Sequence, residues 1–507
     1  MPQRGVAASV TNLRAAGISL CMIVKDEERF LDDALRSVAG VVDEICIVDT
    51  GSRDRTRDIA RAHGARLAEI PWADNFAHAR NAALALATRR WIFVLDADER
   101  LDPQSREALA AIGRSRADER GKWITCRNLT DNYKGSGAMS NALVRLFPND
   151  PRIRYRNPIH EFVALDGSEG GLPSDRTAIA IVHHGYLAPI VAERAKSERN
   201  LRLSRLAAER EPDDAFHHYN LGMALLLAGD GEGAIGALER TRELTHTAPR
   251  GFRIHALIAL ADLYAERRAD LARAEVLIRE CLALVPNYSN AHFAHGKLLA
   301  RGGDLFEARN AFGRAIAAGA HDDEQFVVDN EIAIWKAHSE IGATLMRERR
   351  YAQALAWFEL AAQARPGAQP LVINRAKCHE ALGDLAAAQG LFAAAFEAYR
   401  DEASTVEWIN YLLRRERIDE AVHAVDHALT LVRPDMQALL LGTVAAALLR
   451  AGEPVRARAA LEHALRLDAS ARATLVAVAS QLGVPELIGL LPQAIDTRAK
   501  PLHIAYR

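Results

Sequence analysis

Apolar residues recur in two rhythms along this chain. From Ile18 to about Tyr186, short apolar runs alternate with amphipathic stretches. "ISLCMIV" (18–24), "EICIVDT" (44–50), "RLAEI" (66–70) and "WIFVLDADE" (91–99) read as strands. Between them, "ERFLDDALRSVAGV", "RTRDIARAHGA" and "FAHARNAALALAT" carry apolar residues at helical spacing, the second stopping at Gly64, a fitting C-terminal cap. Strand–helix alternation at this pace predicts βαβ units and a mainly parallel sheet. Ligands of such sheets sit beyond the carboxyl ends of the strands. Asp26, Asp49 and Asp96 all fall at predicted carboxyl ends.

From about Asp213 the pattern becomes helical, rich in Ala and Leu, with short turns. Gly296–Ala308–Ala315, Gly342–Ala354–Ala361 and Ala376–Ala388–Ala395 share one pair of spacings, and an aromatic follows each middle Ala by one helical turn: Phe312, Phe358 and Phe392. Weaker copies lie at Gly222–Ala234, Ala421–Ala428 and Ala457–Ala464. Small residues let two antiparallel helices approach closely, and the aromatic is expected to fill the gap to the next pair. This pattern resembles the tetratricopeptide repeat, which stacks into solenoids with a concave binding surface. About seven units are expected over 213–470, interrupted by "AHDDEQFVVDNE" (320–331) and followed by a cap over 471–507. A charged helix over 191–212 links the two parts and reads first as a solvated connector that caps the solenoid, the alternative being that Lys196, Arg199 or Asn200 on it faces a cleft.

Composition narrows the class. A net charge of −2 with 26% charged residues lacks the basic bias of a general nucleic-acid binder. The five cysteines are scattered without a CxxC pair, which predicts neither a disulfide framework nor a zinc site. The first residues lack a signal peptide's apolar core, and no apolar run approaches the ~20 residues of a membrane span. The expected location is cytoplasmic, or peripheral at the inner membrane face.

The chemistry collects at strand ends. "CIVDTGSRDRT" places Asp49 before a turn at Gly51, with Asp54 set to cap the next helix. A strand-end acid of this kind accepts hydrogen bonds from a nucleotide. Neither a GxGxxG fingerprint nor a Walker A loop is present, so phosphate charge must be met in another way. "LDADE" supplies that: Asp96 and Asp98, after a buried strand, are placed to hold a divalent cation, Mg²⁺ or Mn²⁺, with phosphate oxygens. Alternation along an extended chain would turn Glu99 away from them.

Together, "ISLCMIVKDEERFLDDALRSVAGVVDEICIVDTGSRDRT" and "WADNFAHARNAALALATRRWIFVLDADE" resemble the GT-A domain of family 2 glycosyltransferases, in a bacterial branch joined to tetratricopeptide repeats. The resemblance implies a Rossmann-like α/β domain over 1–190 followed by an all-α solenoid. It also implies an inverting transfer of sugar from a nucleotide-sugar donor. By it, Glu28 and Asp49 face the nucleoside, and Arg80 and Asn81 of "HARNAAL" lie beside the nucleotide. Asp98 is the principal metal ligand, and Asp96 contacts ribose or the metal shell. Asp74 matches with no assigned role. "RLF" and "IHE" elements further on make His160 and Glu161 the acceptor-side residues, with Glu161 favoured over Asp131 as base. "IVHHGY" offers His183 as a further metal ligand, ahead of His160, with His184 where the branch often has tyrosine. The acceptor is a protein, peptide or glycan, and the repeats would bind it, a partner protein or another copy. The competing readings are a non-catalytic repeat scaffold and a nucleotidyltransferase. The first would be expected to lose some of these acids, and the second needs a glycine-rich or basic phosphate loop that "MIVKDEERF" does not supply.

Overall fold

The computed structural model describes residues 14–128, 139–168, 171–183, 190–245, 251–319, 329 and 331–492. They form two compact units, Met1–Ala333 and Ile334–Arg507, so the division falls within the repeats.

The first unit begins with β1 (Ala15–Val24), α1 (Leu31–Val38), β2 (Glu44–Asp49), α2 (Thr56–Ala62), β3 (Arg66–Glu69), α3 (Phe76–Leu86) and β4 (Arg89–Val94). Then come β5 (Glu99–Leu101), α4 (Arg106–Arg114), β6 (Gly121–Asn128), β7 (Met139–Pro148), β8 (Ile153–Arg156), β9 (Phe162–Leu165) and β10 (Ser174–His183). Eight strands make one sheet in the order β3-β2-β1-β4-β7-β6-β10-β5, and β8 and β9 pair separately. The first four run parallel, with Val24 opposite Asp49 and Cys21 opposite Val94. β7 enters antiparallel between β4 and β6. Ile18, Leu20, Trp91, Phe93 and Leu146 are fully buried, each contributing roughly 1.5–3 kcal/mol of apolar burial.

The expected parallel pairing therefore holds for these four strands, and their order brings the carboxyl ends of β2, β1 and β4 side by side. One detail differs from expectation and one agrees with it. β4 stops at Val94, and the chain turns at Ala97–Asp98 before β5. Gly64, with φ 70°, follows α2 in the left-handed conformation that ends helices.

Helix α5 (Ile190–Arg210) leads into three helical pairs in this unit. These are α6 (Ala215–Leu227) with α7 (Gly231–Leu244), α8 (Gly251–Arg267) with α9 (Leu271–Leu284), and α10 (Ser289–Gly302) with α11 (Leu305–Gly319). The second unit holds four more pairs. These are α12 (Ala337–Arg347) with α13 (Tyr351–Ala364), α14 (Gln369–Ala381) with α15 (Leu385–Tyr399), α16 (Glu402–Arg414) with α17 (Ile418–Ala428), and α18 (Pro434–Arg450) with α19 (Pro454–Leu467). Two further helices, α20 (Arg472–Gln481) and α21 (Glu486–Gly489), end the described chain. Most of 320–331 lies outside the described residues.

The repeat's small and large residues pack as a lock within a pair. A Cβ on Gly296 would stand 2.5 Å from the Phe312 ring, and one on Gly342 would stand 2.8 Å from Phe358. Gly222 meets Leu238 in the same way. Phe312 and Phe358 thus fill the gap inside their own pair. The reason is that glycine opens a hollow on the facing helix that a ring enters directly. Phe392, whose partner position is Ala376, does reach the next pair, with ring centroids 5.0 Å from Tyr411.

Candidate active site at the strand ends

Two loops are laced together at the ends of β1 and β2. The Asp26 carboxylate accepts from the Arg53 amide (2.7 Å) and the Glu28 carboxylate from the Arg55 amide (3.1 Å). In return, the Glu28 amide donates to Asp54 (3.0 Å) and the Asp26 amide to Ser52 Oγ (2.9 Å). Asp54 also takes the Thr56 amide at 3.0 Å, at the start of α2. Glu28 thus joins a strap of exposed carboxylates that fixes the loop. Asp49 stands beneath it, buried. Its Oδ1 accepts from the amides of Gly51 and Ser52, both at 2.9 Å, while its Oδ2 is buried without a hydrogen-bond partner.

α3 delivers the cation. Asn75 caps it, accepting from the His78 amide at 2.9 Å. Ala77, Ala83 and Leu84 bury one face, and Arg80 is buried among them at 7% exposure. Arg80 Nη2 donates to Asp96 Oδ1 (2.9 Å), and its Nε donates to Glu161 Oε1 (2.6 Å). Its guanidinium lies over the Tyr155 ring at 5.4 Å, and Nη1 is buried with no partner. Asn81, the next residue, exchanges two 2.9 Å bonds with the backbone of Tyr155. Its amide therefore locks β8 to α3, a structural role the resemblance does not anticipate.

Around Asp96 the charges interlock. Arg145 Nη2 donates to Asp96 Oδ2 (2.8 Å) and to Glu99 Oε1 (3.0 Å), while the Asp96 amide donates to Glu99 Oε2 (2.8 Å). Burial pushes the Asp96 carboxyl up, but Arg145 and Arg80 outweigh it and hold the group below its ordinary range. Burial wins at Glu99, whose carboxyl is raised, with Arg145 offsetting only part. Burial works against the Arg145 cation as well, yet Asp96 and Glu99 keep it well above its usual value. Burial also pushes the Tyr155 phenol up to about 12, and its hydroxyl is buried without a hydrogen-bond partner.

Glu99 is thus not turned away from Asp96: it shares Arg145 with it. The alternation argument fails because the chain has left the strand at Val94 and turns before Glu99. Arg145 entered the sequence reading only as the Arg of the "RLF" element, with no role of its own, although a lone charge inside the apolar "ALVRLF" was a signal for one.

Asp98 lies on the other branch of the turn. Its Oδ2 is 3.1 Å from His183 Nε2, and both side chains are partly exposed. Two neighbouring octahedral ligands of a cation bound at ~2.1 Å stand ~3.0 Å apart, so this pair fits. Among the described residues, the one group of three His, Cys, Asp or Glu with metal-binding spacing is elsewhere: Glu211, Asp214 and His217. There Asp214 caps α6, accepting from the amides of Phe216 and His217.

Of the two residues expected on the acceptor side, His160 is exposed and Glu161 half-buried. Asp26, Asp74, Asn157 and His160 all hold positive φ (56°, 52°, 73° and 52°), a strained setting for residues with a Cβ. Arg199 places its guanidinium over the Phe76 ring at 5.2 Å. Asp131, His184 and the side chain of Lys196 lie outside the described residues. No helix among the described residues is long and apolar enough to cross a membrane.

Comparison with known proteins bears on the same stretch. The family model "Glycosyl transferase family 2" matches residues 19–140. A TPR repeat-containing protein of Synechococcus elongatus is 38% identical over 221 residues, covering 42% of this chain and 54% of its own. The SPbeta prophage-derived glycosyltransferase SunS of Bacillus subtilis is 23% identical over 229 residues, covering 44% and 53%. The chain thus spans about half the length of these curated relatives. Among solved structures, a tetratricopeptide repeat protein from Parabacteroides merdae aligns at TM-score 0.40 and 14% identity, over 55% of this chain and 98% of its own. In its acid-bearing strand ends, in the matched stretch and in its curated relatives, the chain resembles family 2 glycosyltransferases joined to tetratricopeptide repeats.

Proposed function

We propose that this chain is a metal-dependent glycosyltransferase that moves a sugar from a nucleotide-sugar donor to a protein, peptide or glycan acceptor, with inversion. The observation that carries the reading is the convergence of partly unsatisfied charged groups on one edge of the sheet. Asp49 keeps a buried oxygen without a partner, and so does one nitrogen of Arg80. Orphaned buried atoms occur elsewhere in the chain too, but these two lie with Asp96 and Glu161 at the strand ends, where a bound group would complete them.

In this reading Asp49 accepts from the nucleoside, and the Glu28 strap closes over it. Asp98 and His183 hold Mg²⁺ or Mn²⁺, which when bound neutralises diphosphate charge. Asp96 keeps Arg80 and Arg145 side by side, and Arg80 stabilises the leaving nucleoside diphosphate through its free Nη1. Glu161, fixed by Arg80, takes the acceptor's proton, with His160 beside it. The domains divide as α/β transferase over 1–190, linker over 191–212, repeats over 213–470 and cap over 471–507. The repeats bind acceptor or partner.

The test is to incubate the full chain with Mn²⁺ or Mg²⁺ and a panel of nucleotide sugars while following release of nucleoside diphosphate. Slow hydrolysis of one donor is expected, abolished by a chelator. If no nucleotide sugar binds, a repeat scaffold with a degenerate transferase domain replaces this reading.

A further inference from the structure

Asp74 matched the family motif without a role. Arg202 of α5 grips it through both carboxylate oxygens, at 2.9 and 2.6 Å. Trp72 Nε1 adds a third bond to Asp74 at 2.8 Å. One turn earlier on α5, Arg199 covers Phe76, the first residue of α3. The Phe76 amide in turn donates to the Pro158 carbonyl (2.8 Å), in the segment between β8 and β9. A second contact reaches that segment's far end: Phe216 of α6 meets Phe162 edge-on, with centroids 6.4 Å apart and planes at 88°. Phe216 is itself backed by Phe252 of α8, at 5.4 Å.

These two grips bracket one ion pair. Asp74 and Phe76 sit at the amino end of the helix that carries Arg80, and Phe162 directly follows Glu161. The 2.6 Å bond from Arg80 to Glu161 therefore depends on the register of two segments, each held from the repeat side. Asp74 also holds a left-handed φ, a conformation that Asp adopts more readily than most residues with a Cβ.

Resting on the glycosyltransferase reading above, we propose that Arg202 and Phe216 are positioning residues: α5 and the first repeat hold Arg80 and Glu161 in reacting register. An exposed ion pair adds only ~0.2–1 kcal/mol to stability. Misplacing a reacting group by about 1 Å lowers rate by up to ~100-fold. The two effects can therefore be separated.

In the full chain, Arg202→Ala should lower kcat for donor hydrolysis ~5- to 10-fold, with KM for the donor within ~2-fold. The melting temperature should stay within ~2 °C. Amide hydrogen exchange over 76–80 should quicken. Combining it with Asp74→Ala should do no more than either change alone, since both remove one grip. Phe216→Ala should quicken exchange over 159–163. Unchanged exchange in both segments, or fully additive losses, would overturn the proposal. If the unaltered chain hydrolyses no nucleotide sugar, the transferase reading fails, and the exchange measurements alone decide the grip.

Discussion

Strand β2 carries an acid at each end, Glu44 partly buried and Asp49 buried, and the two are treated differently. At the amino end, Glu44 is fully satisfied. It accepts from Ser19 Oγ (2.6 Å), from the Thr88 amide and hydroxyl (2.8 and 3.0 Å) and from Arg66 (2.9 Å). Burial pushes its carboxyl up, but these four donors outweigh it and bring it down to about 2. At the carboxyl end, Asp49 has two amide donors on one oxygen and none on the other. One acid is complete within the fold, and its job is to hold three strands together. The other is left incomplete on the edge where Arg80 also keeps an unpaired nitrogen. In the repeats the complete side is apolar: glycine and ring fill each other at the motif positions.

If that division is right, changes on the complete side should unfold and changes on the incomplete side should disarm. The largest effect expected is from Arg145→Leu. It strands Asp96 and Glu99 without their shared cation, a loss of ~3–5 kcal/mol. Thermal melting and exchange over β4 and β5 would show it. Phe358→Ala should destabilise the second unit by ~3–5 kcal/mol, through the cavity against Gly342. Donor hydrolysis should be untouched.

Glu44→Ala should lower stability by ~1–2 kcal/mol at neutral pH, because it leaves the buried Ser19 hydroxyl without its acceptor. It should also change the pH dependence. Glu44 has a folded pKa below its unfolded value of about 4.3, so its contribution is complete above that value. The contribution is lost as pH falls toward 2. Melting temperatures of the two proteins should therefore converge over that window. The smallest effect on stability should come from Asp49→Asn, which keeps the oxygen that the two amides use. Melting should shift by less than ~0.5 kcal/mol, the scale of a change that breaks no packing, while nucleoside diphosphate binding weakens ~10-fold. An Asp49→Asn protein that unfolds yet still binds would erase the distinction.

Much of this was legible in the sequence because the deciding patterns are local. A βαβ rhythm fixes strand order near the amino end, and recurring Gly, Ala and Phe mark each helical pair. Asp49, Asp96 and Asp98 were singled out by their position after apolar runs, and Arg80 by the resemblance of "HARNAAL" to the family's helix. Arg145 was not, because its partners lie far back in the chain and meet it only when β7 inserts beside β4. Glu99 was misplaced because strand alternation was carried past a turn. Asn81 looked like a ligand residue because a helix motif does not say which backbone its amide will meet.

The claim on which the account rests is that Asp98 and His183 complete a cation site only when a diphosphate is present. Mn²⁺ binding, read by electron paramagnetic resonance with and without a nucleoside diphosphate, tests it in the unaltered chain and in Asp98→Ala. The prediction is Mn²⁺ uptake that strengthens ~10-fold or more with the diphosphate and disappears in Asp98→Ala, with melting unchanged. Equal uptake by both proteins would contradict it.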